Sequence, residues 1–204
     1  EHLVHLLAAE VGICTALTKL ISTGEGHHTL LSRRFDRTQE GRRIHFASAM
    51  TLLGLADGDD AATGYGYLDI VDFILRGCTD VDANLRELYR RVAYSICIGN
   101  SDDHFRNHGF LLTPKGWTLS PAYDMNPTLN DHQSLLISAS SNKSDLGILL
   151  EACEDYMLDA HEARRIITEV VNATREWRRL AVRLGASKRE MDMFGGVFER
   201  EWKY

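Results

Sequence analysis

The sequence predicts an α+β fold that is mainly helical and carries a few short strands. Apolar residues recur every three or four positions through long stretches on both sides of a central segment, which is the pattern of amphipathic helices. The prolines, Pro114, Pro121 and Pro127, all lie in that central segment, so the long flanks contain no proline, which favours helices there. Short apolar runs separated by turn residues predict the strands. A chain of 204 residues is expected to form one domain.

The N-terminal segment is expected to be a helix followed by a hairpin. Helical spacing of apolar residues covers residues 1–11, and Gly12 is expected to end this helix. Residues 17–21 and 29–35 predict two strands. The Thr-Gly-Glu-Gly sequence at residues 23–26 predicts the turn that joins them.

Helices are predicted next at residues 46–53, 67–75 and 81–98, with a Gly- and Asp-rich loop at residues 56–66. The third helix is the clearest, because its apolar residues form a single stripe. Its charged residues, including Arg91, are expected to face away from the core. Its last residues are almost all apolar, which indicates that the helix runs into the core.

A short hairpin and a helical C-terminal region complete the predicted fold. Residues 110–112 and 117–119 are apolar and flank Thr-Pro-Lys-Gly, a sequence typical of turns. At Asp159 and at Ser187, a glutamate follows three residues later, which resembles a capping box at the start of a helix. Between these two caps, the apolar residues keep helical spacing.

The composition narrows the class of function. A net charge of −6 argues against a surface that coats nucleic acid, which is normally basic. No apolar run reaches the roughly 18 residues that a membrane helix needs, and no signal peptide is visible. The four cysteines are scattered without a Cys-x-x-Cys pair, as expected of reduced thiols. We therefore expect a cytoplasmic protein that contacts neither nucleic acid nor membrane directly.

Residues 99–109, Gly-Asn-Ser-Asp-Asp-His-Phe-Arg-Asn-His-Gly, are unlike the rest of the chain. They place two acids, two histidines, an arginine and two asparagines between a buried helix and a buried strand. Unpaired polar groups in such a position cost several kcal/mol. These groups are therefore expected to pair with one another or with a ligand.

The order of three residues in and after this loop points to phosphoryl transfer. Asp102 precedes Asn107 by five positions, and Asp124 follows the predicted hairpin, which is the order of Asp, Asn and Asp in protein kinases. A kinase needs one carboxylate to accept the proton of the substrate hydroxyl. It needs an amide oxygen and a second carboxylate to hold Mg²⁺ against the phosphates. A tight loop fixes the first two residues, and a hairpin returns the third to the same cleft.

The same residues resemble a known family. Residues 98–107, Ile-Gly-Asn-Ser-Asp-Asp-His-Phe-Arg-Asn, and 119–124, Leu-Ser-Pro-Ala-Tyr-Asp, are similar to the catalytic loop and metal motif of HipA-like serine/threonine kinases. Those are the toxin kinases of bacterial toxin–antitoxin systems. Residues 34–37, Arg-Phe-Asp-Arg, resemble the hinge strand of that family, where adenine meets the backbone. Residues 1–12 resemble the helix that follows its phosphate-binding lysine strand.

The resemblance covers nearly the whole chain and implies one HipA-like C-terminal kinase domain over residues 1–204. Residues 1–37 would be a remnant of the N-terminal lobe, with its helix and hinge strands. Residues 38–204 would form a helical lobe like the C-terminal lobe of protein kinases. That lobe would carry its catalytic loop at residues 99–109 and its metal motif at residues 121–124.

The resemblance also implies ATP and Mg²⁺ as cofactors and assigns roles to single residues. Asp102 would accept the proton of the substrate hydroxyl, while Asn107 and Asp124 would bind Mg²⁺. Asp103 is expected to support the geometry of the loop, because the spacing to Asn107 favours Asp102 as the base. Besides the two metal ligands, the residues expected to line the nucleotide site are Arg33, Arg34, Phe35, His104, Phe105, Arg106 and Tyr123.

One departure from the family is expected to limit the activity of this chain alone. The Gly-rich phosphate loop and the lysine that pairs with the phosphates are not found, and Lys19 follows the first helix rather than preceding it. The chain could be truncated, could act with a separate N-terminal-lobe chain, or could be a decayed kinase. The resemblance further implies a protein substrate with a serine or threonine hydroxyl and a DNA-binding antitoxin as partner.

Two other functions stay open at this point. A pseudokinase-like binding module would keep the fold without turnover, which the missing lysine favours. A metal-dependent hydrolase would use the segment Asp102-Asp103-His104, with His104 and His108 spaced as metal ligands on a helix. The flanking residues Gly99 and Gly109 favour a loop instead, in which that spacing loses its meaning.

Overall fold

The computed structural model describes residues 1–24, 27–128 and 130–204. The predicted turn at residues 23–26 therefore lies partly outside the described residues. Within the described ranges the chain combines helices with short strands, which confirms the predicted α+β fold.

The N-terminal segment forms a helix and a two-stranded antiparallel sheet. Helix α1 is His2–Glu10, and Gly12 follows it with φ +79°, a conformation that glycine adopts without strain. Strand β1, Thr18–Gly24, pairs with β2, His27–Ser32. The prediction that the second strand extends to residue 35 is wrong, because the regular pairing ends with β2.

A three-stranded antiparallel sheet with the order β3-β4-β5 lies in the middle of the chain. Strand β3 is Phe46–Ser48, β4 is Gly109–Thr113 and β5 is Gly116–Leu119. The hairpin predicted around residues 113–116 is confirmed as the β4–β5 pair. This sheet places the start of β4 directly after the polar loop at residues 99–108.

The prediction of a helix over residues 46–53 is wrong in its first part. Phe46 to Ser48 pair with β4, far along the chain, and the local spacing of apolar residues carries no sign of that contact. Helix α2, Ala49–Leu53, begins only after Ser48. The hydroxyl of Ser48 accepts a hydrogen bond from the N–H of Thr51, 3.3 Å away, and so caps the helix.

Two helices carry the centre of the core. Helix α3 is Tyr67–Gly77 and α4 is Val81–Ile98, and the bounds of α4 are those that the sequence predicts. Residues 91–98, the second half of α4, are all buried, because α3 and the C-terminal helices pack against this end. The polar loop therefore starts from the most rigid element of the fold.

Arg91 contradicts the expectation that the charged residues of α4 face away from the core. Its side chain is only 5% exposed. Its Nε donates to Oε1 of Glu87 at 2.8 Å, and its Nη2 donates to the main-chain oxygen of Ser120 at 2.7 Å. A buried guanidinium is tolerated when it is paired in this way. The contact joins α4 to the segment that follows β5.

The C-terminal part of the described chain is helical, with α5 at Leu146–Glu151, α6 at Ala160–Thr174, α7 at Trp177–Arg183 and α8 at Lys188–Phe198. The predicted starts of α6 and α8 are confirmed. The carboxylate of Asp159 accepts from the N–H of Glu162, and Ser187 and Glu190 form a full capping box.

The segment of helical spacing between these caps forms two helices. The chain turns at Arg175 and Glu176, between α6 and α7. The indole of Trp177 stacks on the ring of Phe198, with 4.9 Å between the ring centroids, so α7 packs toward the end of α8. None of the helices in the described ranges combines the length and the apolarity needed to cross a bilayer.

Candidate active site

The polar loop begins where α4 ends in a left-handed residue. Gly99 has φ +65°, and a Cβ built on it would lie 2.7 Å from Cγ1 of Val197. Both the backbone conformation and the available space therefore require glycine here. The main-chain oxygen of Gly99 accepts hydrogen bonds from the N–H and the hydroxyl of Thr128, at 2.7 and 2.8 Å. The start of the loop is thus fixed to the segment after the predicted metal motif.

Asp103 lies at the centre of a buried hydrogen-bond network. Its Oδ2 accepts from the hydroxyls of Tyr67 in α3, at 2.8 Å, and Ser95 in α4, at 3.1 Å. Its Oδ1 lies 3.0 Å from Nε2 of His108. Burial alone would raise the pKa of the Asp103 carboxyl. His108 and the two hydroxyl donors lower that pKa by more than burial raises it, so the net pKa lies below its usual range.

The neighbouring carboxylate of Asp102 is exposed. Adjacent residues in irregular backbone direct their side chains to different sides, and here one acid enters the core while the other faces solvent. Tyr67, whose pKa burial and the Asp103 charge raise well above its usual range, keeps its proton and acts as donor. Asp103 is therefore committed to the fold, and Asp102 is the acid of this pair that a substrate can reach.

Asn107 is tied to Asp102 within the loop. Its Nδ2 donates to the main-chain oxygen of Asp102 at 3.2 Å, and its own N–H donates to the main-chain oxygen of His104 at 2.8 Å. The amide nitrogen is thereby used, and the hydrogen bonds of the described residues leave the carbonyl oxygen of Asn107 available as a ligand. An amide oxygen is one of the ligand types that Mg²⁺ accepts.

Asp124 is exposed and has a left-handed backbone, with φ +56°. Such a conformation is uncommon for a residue with a side chain and is concentrated at functional sites. Oδ1 of Asp124 accepts from Nδ2 of Asn126 at 3.2 Å, while the N–H of Asn126 donates to Oδ1 of Asn100 at 3.3 Å. The segment that carries Asp124 is thus attached to the start of the polar loop.

Tyr123 attaches the same segment to the end of the polar loop and to the predicted hinge. Its hydroxyl donates to the main-chain oxygen of Arg106. Its ring lies on that of Phe35, with 5.6 Å between centroids and an interplanar angle of 32°. Phe46 contacts both rings. Asn107 and Tyr123 also line one small cavity of about 10 Å³.

The two arginines of the predicted hinge behave differently from Phe35. The N–H of Arg33 donates to the main-chain oxygen of Leu17 at 2.8 Å, which continues the line of the β1–β2 pair. The guanidinium of Arg34 pairs with both oxygens of Asp36, at 2.8 and 2.6 Å, and holds the pKa of that carboxyl below its usual range. The structure therefore places Phe35 against Tyr123, whereas the side chain of Arg34 pairs with Asp36.

A second cavity, of about 190 Å³, opens beside Asp102. Its lining includes His104, Phe105 and Arg106 from the loop and a run of acids from the segment after α2. Arg106 forms an ion pair of 2.7 Å with Asp57. Phe105 is mostly buried and contributes more to the core than to the cavity. The sequence predicted this segment only as part of the Gly- and Asp-rich loop at residues 56–66. Its many acids are the signal in the sequence that could have indicated its position beside the site.

The hydrolase alternative requires a group of metal-binding side chains. Within the described ranges, no three residues among His, Cys, Asp and Glu are arranged to hold a metal ion together. Nε2 of His108 faces Asp103 inside the core, and His104 lies in the loop rather than on a helix. The predicted histidine spacing therefore does not form a metal centre of that kind within the described ranges.

A family model supports the resemblance that the loop suggests. The model described as the HipA-like C-terminal domain matches residues 1–178. A provisionally named kinase of Haemophilus influenzae is 29% identical over 134 residues, which are 61% of this chain and 39% of that protein. A second provisionally named kinase, from Sinorhizobium fredii, is 35% identical over 109 residues, or 52% of this chain and 25% of that protein. The match thus spans well under half of each of these relatives.

Solved structures show the same fold. HipA of Shewanella oneidensis, in a complex with HipB and operator DNA, superposes with a TM-score of 0.83 at 17% identity. The match covers 98% of this chain and 53% of that HipA chain. The proinflammatory kinase CtkA of Helicobacter pylori superposes with a TM-score of 0.53 at 13% identity and covers 95% of this chain and 86% of CtkA.

Proposed function

The chain belongs to the HipA-like C-terminal domain family, and from that membership we propose that it is the catalytic-loop portion of an ATP- and Mg²⁺-dependent serine/threonine protein kinase. One observation carries the proposal. Of two adjacent carboxylates, Asp103 is buried and accepts two hydrogen bonds through Oδ2, while Asp102 is exposed, borders a cavity and is linked through its main chain to Asn107. A polar loop that served only the fold would not need the second acid, Asp102, in this exposed position.

In the proposed reaction each residue has one task. The exposed carboxylate of Asp102 would accept the proton of the serine or threonine hydroxyl as that oxygen attacks the γ-phosphorus of ATP, and the bond from the γ-phosphorus to the β,γ-bridging oxygen would break with release of ADP. Asn107, through its carbonyl oxygen, and Asp124, through its carboxylate, would hold Mg²⁺. The ion neutralises charge on the phosphates. Placing the hydroxyl and the phosphate in line supplies most of the remaining rate gain.

The nucleotide would lie between the hinge and the polar loop. The adjacent, tilted rings of Phe35 and Tyr123 mark the adenine end in this proposal, with Arg33 and Arg34 next to Phe35 in the chain. His104, Phe105 and Arg106 would border the phosphate end, because they lie in the same loop as the base. The contact between the Tyr123 hydroxyl and the main chain of Arg106 would hold the two ends at a fixed distance.

The partners of the kinase are part of the same proposal. Since the match spans 39% and 25% of the two curated relatives, we propose that the phosphate-binding lysine lies in an N-terminal lobe, in the same polypeptide or in a separate chain. The structure of the Shewanella HipA also contains HipB and operator DNA. By analogy, the partner of this protein would be a DNA-binding antitoxin, and the complex would act in the bacterial cytoplasm.

Two variants of the complete protein test the roles of the acids. Asp102→Asn should reduce phosphoryl transfer by about 10²–10⁴-fold, the usual contribution of a general base, and leave Mg²⁺-dependent nucleotide binding largely intact. Asp124→Ala should instead remove the Mg²⁺ dependence of nucleotide binding. Transfer is measured with γ-labelled ATP and binding by calorimetry. Asp82→Asn, an exposed acid on α4, is the matched control and should behave as the wild type.

The outcomes separate the proposal from its rivals. Full turnover in Asp102→Asn means that this residue is not the base. Binding of Mg²⁺ and nucleotide by a wild-type protein that transfers no phosphate identifies a pseudokinase-like binding module. Tightly held zinc or iron in the purified protein would favour the hydrolase.

A further inference from the structure

Each of the two loop residues with a proposed task is followed directly by a member of one buried pair. Asp102 precedes Asp103, and Asn107 precedes His108. Oδ1 of Asp103 and Nε2 of His108 lie 3.0 Å apart, and their side chains are 6% and 3% exposed. The polar loop is therefore closed on itself by a contact between two residues that are not expected to touch substrate.

The pair is attached to two helices as well as to itself. The hydroxyls of Tyr67 and Ser95 both donate to Oδ2 of Asp103, so α3 and α4 each hold the carboxylate. The ring of Tyr67 also meets the ring of His108 edge-on, at 5.5 Å between centroids. A buried carboxylate with three partners is stable in one position and costly to move, because any shift leaves a charge unpaired.

The pair thereby determines where Asp102, which is exposed, and Asn107, which is buried, lie relative to each other. With Asp103 and His108 held inward, the residue before each of them is placed at the same end of the loop. The hydrogen bond from Nδ2 of Asn107 to the main-chain oxygen of Asp102 spans this end at 3.2 Å. Asp102-Asp103 and Asn107-His108 therefore lie side by side. The buried contact joins Asp103 to His108, and the proposed base and metal ligand, Asp102 and Asn107, lie next to that contact.

We infer that Asp103 and His108 are positioning residues that fix Asp102 and Asn107 relative to each other, and that their contact sets kcat. The inference rests on the proposed kinase function. A displacement of about 1 Å at a reacting group can cost about 10²-fold in rate. Loss of the contact should therefore lower kcat by about 10–100-fold and leave the KM for ATP within a few fold, because Asp124 and the hinge, which also hold the nucleotide in the proposal, lie outside the pair.

The test measures kcat and KM for ATP, together with thermal unfolding, in the complete protein and five variants. His108→Leu removes the contact, and His108→Gln keeps a hydrogen-bond donor in a similar volume. The single variants Asp103→Asn and His108→Leu form a double-mutant cycle with the variant that carries both changes. His108→Gln should regain at least part of the kcat lost in His108→Leu. The double variant should be about as slow as the slower single variant, since one contact is lost in each case. Tyr89→Phe, a buried change elsewhere on α4, should keep the wild-type kcat.

The kcat values of the variants support or overturn the inference. A folded His108→Leu variant with the wild-type kcat overturns the inference, and so do additive losses in the cycle. If His108→Leu does not fold, Asp103→Asn decides alone: a loss of several-fold in kcat supports the inference, and an unchanged kcat overturns it. A wild-type protein without phosphoryl transfer refutes the proposed function and the inference with it, whereas an active wild type with unaffected variants refutes the inference alone.

Discussion

Replacement of Tyr67 by phenylalanine removes a single hydroxyl from the buried network and leaves the rest of the ring in place. That hydroxyl donates to Oδ2 of Asp103 at 2.8 Å. Hydrogen bonds to charged groups contribute about 1.5–3 kcal/mol, against about 0.5–1.5 kcal/mol for neutral pairs. We therefore expect Tyr67→Phe to lower the free energy of unfolding by about 1.5–3 kcal/mol, because Asp103 is held as a carboxylate.

Two other buried tyrosines are matched controls. The hydroxyls of Tyr89 and Tyr156 donate to the main-chain oxygens of Leu149 and Ile137, at 3.1 and 2.8 Å. These acceptors are neutral, so each Tyr→Phe change should cost about 0.5–1.5 kcal/mol. Urea unfolding followed by circular dichroism gives all three values. At about 2–4 °C per kcal/mol for a domain of this size, Tyr67→Phe should lower the melting temperature by about 3–12 °C.

The comparison among the three variants refutes or supports the reasoning independently of the absolute values. If Tyr67→Phe costs no more than the Tyr89 and Tyr156 changes, the acceptor in the network behaves as a neutral group. In that case Asp103 is not the charged centre of the loop. The exposed position of Asp102 would then need another explanation.

Two further predictions concern other parts of the fold. Gly99→Ala should destabilise the protein by more than the about 1–2 kcal/mol of a left-handed backbone, because its Cβ also meets Val197. Gly12→Ala, at φ +79° with open space around it, should cost the backbone part alone, as urea unfolding can show. Burial raises the pKa of the Cys97 thiol to about 12. Iodoacetamide at pH 8 should therefore leave Cys97 unmodified in the native protein and label the exposed Cys14. Mass spectrometry that finds native Cys97 alkylated before Cys14 would contradict this burial.

Local patterns were sufficient to predict a large part of the fold. Helix α4 has the predicted bounds because one apolar stripe ends at a glycine that can adopt φ +65°. The start of α8 follows from the pairing of Ser187 with Glu190 three residues later. The hairpin of β4 and β5 follows from a turn between two apolar runs. In each case the signal and the structure lie within a few residues of each other.

The remaining features depend on contacts between distant parts of the chain. Phe46 to Ser48 form a strand only because β4 is available to pair with them. Arg91 is buried only because the main-chain oxygen of Ser120 meets its guanidinium. The chain turns between α6 and α7, where Trp177 goes on to stack on Phe198. Spacing along one helix contains no record of such partners.

The candidate site divides in the same way. The order of Asp102, Asn107 and Asp124 is visible in the sequence and is the order of Asp, Asn and Asp in protein kinases. The sequence favoured Asp102 over Asp103 as the base through spacing alone, and the burial of Asp103 supplies a physical reason for that preference. The contributions of Tyr67 and Ser95 could not be predicted, because both residues look like ordinary members of their helices.

A crystal structure of the complete protein with Mg²⁺ and a non-hydrolysable ATP analogue tests the metal site most directly. We expect the carbonyl oxygen of Asn107 and a carboxylate oxygen of Asp124 within about 2.1 Å of the same ion, which is the usual Mg²⁺–oxygen distance. The carboxylate of Asp102 should face the γ-phosphate. An ion bound elsewhere, or Asn107 and Asp124 too far apart to share it, would contradict the proposed catalytic site.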